Sequence, residues 1–150
     1  MSRHAALVLA VALPLAAQAQ EKGAAAEELK RLQGTWVLVG REFDGEKATP
    51  EEVKKQEIRV VVKGDKVTAT SRGDPVGTEY TLKLSPGAKP KAAELVHASG
   101  PMKGKAAAFS IYKLEGDRLT VCRSPSKRPA EFTTKPDSDR VVLIYQREKK

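Results

Sequence analysis

The side chains best equipped for chemistry in this chain of 150 residues are few and scattered. Cys122 is the only cysteine, and His97 has only His4 for company. A metal site built from several histidines or cysteines therefore lacks its ligands. A Ser-His-Asp arrangement would have to use His97, and no serine sits in the strand-to-helix elbow that exposes such a nucleophile. Gly100-Pro101-Met102-Lys103-Gly104-Lys105 lacks the spacing and the Ser or Thr of a phosphate-cradling loop, and reads as a turn. The carboxylate pairs Glu51/Glu52 and Asp137/Asp139 fall in polar surface segments, where nothing is at hand to shift a pKa usefully. These patterns point away from an enzyme, and they name no metal and no cofactor.

Charge gives a second boundary. The chain carries a formal +8. Its basic residues are interleaved with acidic ones, as in Glu51-Glu52-Val53-Lys54-Lys55-Gln56-Glu57, a spread that makes solvated faces. The excess could still draw the protein to an anionic polymer or a membrane surface, an attraction that salt weakens. Binders of single-stranded nucleic acid add aromatic stacking platforms to a basic groove. Here aromatic residues are 5% of the chain and are not interleaved with the basic ones, so nucleic acid is not an expected partner. Cys122, standing alone, cannot form an intramolecular disulfide. It reads as a small buried hydrophobe on a strand, with an intermolecular disulfide or a reactive thiol as the sharper alternative.

The elements that must position these residues begin after a leader. Ser2, Arg3 and His4 make a short basic lead, Ala5 to Ala16 an apolar run broken by Pro14, and Ala17-Gln18-Ala19 a small-x-small site. Residues 1–19 are therefore expected to be a signal peptide, cut after Ala19, with a protein exported to the periplasm or beyond. The run falls short of the roughly 20 apolar residues that span a bilayer. Residues 20–26 read as a flexible lead-in and residues 27–150 as one domain, large enough for a core without staples.

Ala24 to Gln33 has helix-forming composition, with Leu29 and Leu32 on one face and Gly34 as its stop. Strand-like segments follow at Thr35–Phe43, Glu57–Lys63, Lys66–Ser71, Val76–Leu84, Ala92–His97, Ala106–Leu114, Arg118–Arg123 and Arg140–Arg147. A helical turn is expected over Pro50–Gln56. Two corners echo each other: Gly64-Asp65-Lys66-Val67-Thr68 and Gly116-Asp117-Arg118-Leu119-Thr120. Eight short strands with regular turn signals predict an all-β fold, an eight-stranded antiparallel up-and-down barrel with a short N-terminal helix. The lone tryptophan, Trp36, is expected to be buried in it.

Gly34-Thr35-Trp36 after a helix resembles the opening signature of lipocalin-type barrels. With Leu32-Gln33 before it, the Gly-Asp-Lys corner, Ile111-Tyr112 ahead of Glu115-Gly116-Asp117, and Arg128-Pro129 followed by Glu131-Phe132-Thr133-Thr134-Lys135-Pro136, the chain resembles a bacterial lipocalin-like family of unknown function, found chiefly in planctomycetes. The similarity covers nearly all of residues 27–149. It implies a fold and an exported location, and no activity. It also implies that the tryptophan plugs the closed end beneath a basic residue of the last strand; Gly34, Trp36 and Arg147 are the matching positions, Arg147 being better placed than Arg140.

A barrel of eight strands either fills with side chains or holds one small ligand. Ala106-Ala107-Ala108 contributes little volume, whereas Tyr80, Leu82, Phe109, Ile111 and Tyr112 could fill the interior or line a site in it. Ser124–Asp139 could fold Phe132 over the mouth as a lid, or serve as a strap. The expected function is a non-enzymatic, monomeric exported module with a small apolar molecule in its barrel. The alternative is a solid barrel that meets an envelope polymer or protein through its basic surface.

Overall fold

The computed structural model describes residues 15–150. Helix α1 (Leu15–Leu32) leads into strand β1 (Gly34–Phe43), a two-residue β2 (Glu46–Lys47) and helix α2 (Pro50–Gln56). Seven strands follow: β3 (Arg59–Lys63), β4 (Lys66–Ser71), β5 (Asp74–Ser85), β6 (Ala92–His97), β7 (Ala106–Glu115), β8 (Arg118–Ser124) and β9 (Val141–Arg147). Each of these pairs antiparallel with its neighbour, from β1–β3 round to β8–β9, and β1 pairs with β9 to close an eight-stranded barrel. Strand β2 stands outside the ring, extending the far end of β1 through Glu42↔Lys47 and Phe43↔Glu46.

Closure follows from strand period. Trp36, Leu38, Val62, Val67, Ala93, Tyr112, Leu143 and Tyr145 project inward and form one buried cluster with Leu32 and Val53 from the helices. The intervening residues of β3 to β5, such as Arg59, Lys63, Lys66, Glu79 and Lys83, stay exposed. A bulge between Leu38 and Gly40 breaks the alternation of β1 and leaves Val39 46% exposed. Strand β5 starts earlier than expected, at Asp74, because Gly77 absorbs a local irregularity opposite Ala69. A Cβ at Gly77, whose φ is +85°, would lie 2.7 Å from the Ala69 carbonyl oxygen.

One expectation about the N-terminal segment changes. Residues 20–26, read as a flexible lead-in, belong to α1. Their Ala, Glu and Lys are strong helix formers, and Gly23 is a single weak position that the helix absorbs. Most of the expected signal peptide, residues 1–14, lies outside the described residues; 15–19 are the exposed first turns of α1. Helix α2 is built as its sequence suggests and better. Thr49 and Glu52 form a reciprocal capping box, Pro50 takes the first turn, and Val53 is buried against the barrel. Among the described residues, no helix is long and apolar enough to cross a membrane.

Candidate functional site

The closed pole is built by the end of α1. A helix leaves its last carbonyls without partners, and here each one finds a donor. Gln33 Nε2 donates to Leu29 O at 3.0 Å, Arg147 Nη2 to Arg31 O at 2.6 Å, and Trp36 Nε1 to Leu32 O at 2.9 Å. Arg147 Nη1 also donates to the Gln33 carbonyl. The guanidinium lies over the indole, its central carbon 4.3 Å from the ring centroid. Gly34 fits beneath it with φ +118°, and a Cβ there would meet Arg147 Nη1 at 3.4 Å. The plug of Gly34, Trp36 and Arg147 therefore takes the arrangement expected of it.

The two echoing corners meet this pole as equivalents. The Asp65 carbonyl accepts from Leu82 N–H at 2.8 Å, and the Asp117 carbonyl from Arg147 N–H at 2.7 Å. Gln33 grips the first corner through both Gly64 backbone groups, at 2.8 and 2.9 Å. Arg147 Nε grips the second through Asp117 Oδ1 at 3.0 Å. Beside them Glu28, buried on α1, accepts from Lys91 Nζ at 2.9 Å, Arg31 at 3.3 Å and the Tyr112 hydroxyl at 3.4 Å. Burial, then the Glu28 charge, pushes the Tyr112 phenol well above its usual range.

Above the plug the barrel is not filled. A cavity of ≈ 290 Å³ runs from Trp36 to the rim at Ser71 and Arg123, walled by side chains such as Val60, Leu82, Leu95 and Leu143. Among its lining residues Arg123 is the one charged group, and Tyr80, Tyr112, Tyr145 and Ser110 supply hydroxyls. Tyr80, Leu82 and Tyr112 thus line the interior as the sequence suggested. Ile58, Thr70 and Ser71 also border a groove of ≈ 660 Å³ beside α2, so the groove and the cavity share a wall at the mouth.

Phe109, Ile111 and Phe132 do not line the cavity, which corrects the expectation that Phe109 and Ile111 face the interior and that Phe132 borders a ligand at its mouth. With Ser110 and Tyr112 facing in, Phe109 and Ile111 must face out. Ile111 is 1% exposed all the same, because it packs with Cys122, Val142, Phe132 and Ile144 on the outer wall. The cover is the 125–140 connection. Phe132 lies there under Lys113, whose Nζ is 5.6 Å from the ring centroid. Thr134 fastens the segment to the β1–β2 turn, donating to Glu42 Oε1 at 2.7 Å and accepting from Gly45 N at 3.0 Å. Asp137 N–H adds a bond to Asp44 Oδ1 at 3.1 Å. This connection is a strap along the barrel wall, and Phe132 is no lid. Cys122 is sealed beneath it, fully buried, with its thiol pKa raised chiefly by burial.

The remaining candidates stay apart. His97 packs against Tyr80, ring centroids 5.4 Å apart, at the end of β6. Glu51, Glu52, Asp137 and Asp139 are exposed. Among the described residues no three His, Cys, Asp or Glu side chains converge as a metal site would need. Sequence reasoning missed Arg123. Its signal was present, since Leu119, Val121 and Arg123 alternate along β8 and share a face.

No protein-family model matches the chain, and no match was found among curated proteins.

Proposed function

We propose that this chain is an exported, non-enzymatic, lipocalin-like module that carries one small, mainly apolar molecule in its barrel. The observation that supports this reading is the ≈ 290 Å³ interior cavity, which is close to the smallest volume usual for ligand sites. Its wall is apolar side chains with a few convergent polar groups, the composition of a pocket that binds by burial and orients by hydrogen bonds. Export rests on the leader pattern of residues 1–19. Leu15 to Ala24 are exposed on α1, so a cut after Ala19 would take away turns that contact little. Glu28, Leu29 and Leu32, which dock α1 on the barrel, would remain.

Native mass spectrometry of protein purified from its own host tests this. The expected outcome is a mature chain beginning near Gln20 with one small molecule bound per barrel. Protein without any adduct, which also fails to take up an apolar fluorescent dye, would overturn the carrier reading.

A further inference from the structure

We infer that the carried molecule is an amphiphile with a single anionic head, answered by Arg123 and Tyr145. The inference rests on the carrier reading and goes on to name the ligand class. Among the described residues, Arg123 is the only charged side chain lining the cavity, and it occupies the last register pair of β8 with β9, opposite Val141 at the mouth. It is half-buried, and among the described residues it takes part in no ion pair. Asp139 borders the outer groove that Arg123 also lines, yet stays beyond ion-pair distance and exposed. A guanidinium drawn out of water beside an apolar wall, without a counter-ion, is costly until an anion arrives.

Tyr145 supplies the second, independent observation. It is 7% exposed and lines the same cavity. Its hydroxyl has no hydrogen-bond partner among the described residues, yet no fully sealed side-chain polar atom is left unpaired. The hydroxyl must therefore open into the cavity. It shares the cavity with Arg123, whose charge offsets part of the rise that burial gives the phenol pKa. A carboxylate or phosphate ester would receive charge-assisted bonds from both groups, with bidentate geometry open to the guanidinium. The volume equals about ten waters at their liquid share of ~30 Å³, which suits a tail of about ten carbons.

The test is titration of the full chain with decanoate, decyl phosphate, decan-1-ol and decyltrimethylammonium below their micellar limits, read by Trp36 emission and by calorimetry. The anions should bind at least about tenfold tighter than the alcohol, the size expected when a hydrogen bond to a charged group is added. The cation should bind worst. Arg123→Gln should erase the preference while leaving decanol affinity within about twofold, which also shows that the variant is folded. Tyr145→Phe should weaken the anions alone. Whether decanoate or decyl phosphate binds better separates a carboxylate from a phosphate ligand, and either ranking supports the inference. Equal affinity for alcohol and acid, or an unchanged acid affinity in Arg123→Gln, would overturn it and leave the carrier reading standing. Failure of all four amphiphiles to bind would overturn both.

Discussion

Arg147 covers the face of Trp36 at 4.3 Å while bonding to the last carbonyls of α1 and to Asp117, so one side chain from the final strand joins helix, plug and corner. The register agrees, for Trp36 and Arg147 are direct partners across the β1–β9 closure. The barrel is thus tied shut where its two ends meet, and the tie uses polar groups that a helix terminus would otherwise leave unsatisfied.

Trp36→Ala should cost about 3–5 kcal/mol, since it empties a fully buried site and leaves the Leu32 carbonyl without its donor. Urea melts check this. A loss below about 1 kcal/mol would remove the indole from its central place.

Arg147→Lys keeps the charge but cannot reach two carbonyls and Asp117 together. Stability should fall by about 1–3 kcal/mol, with α1 loosening first. Amide exchange over residues 28–33 should rise together with the drop in melting midpoint. An unchanged exchange pattern would mean that α1 docks without the guanidinium.

High pH should weaken the fold through its buried phenols. Tyr112 and Tyr145 are both raised above 10.0, in each case first by burial. The stability they support is complete below about pH 10 and is lost as pH climbs through their folded values, because the unfolded chain sheds those protons earlier. Unfolding free energy measured from pH 9 to 12 should decline, and Tyr145→Phe should decline less steeply. A variant with the same slope as the parent would exclude Tyr145 from that response.

Cys122 should react very slowly with a thiol reagent in the native protein and at once in denaturant. Thr134→Val breaks the bond to Glu42 and that from Gly45, so native labelling should accelerate at least several-fold for a stability loss of about 1 kcal/mol. If labelling is unaffected, the strap does not control access to the thiol.

The hairpin corners and the helix stop at Gly34 were legible in the sequence because each depends on local chemistry: a Gly-Asp turn and a positive-φ glycine. The Trp36–Arg147 pairing joins the first strand to the last, and the expectation of it came from the resemblance to lipocalin-type barrels. The interior row of β7 was not. Its apolar residues run through Phe109, Ile111 and Tyr112 without alternating, and such a run conceals which face is inward. The cause is the strap, which buries the outer side of β7 to β9 as well. The bulge at Val39 and the irregularity at Gly77 were hidden for a related reason, since either shifts the period without altering composition. Arg123 stood in an alternating row and could have been found there. What concealed it was the habit of assigning a cation to solvent.

The strap also divides the cylinder mechanically. Strands β7 to β9 are sandwiched, with side chains packed on both sides, whereas β3 to β5 have water against their outer surface. Any transient widening must concentrate in that single-skinned half, next to the groove under α2 that abuts the interior. On the carrier reading proposed above, cargo would pass on the α2 side, with the doubly clad wall as the fixed frame.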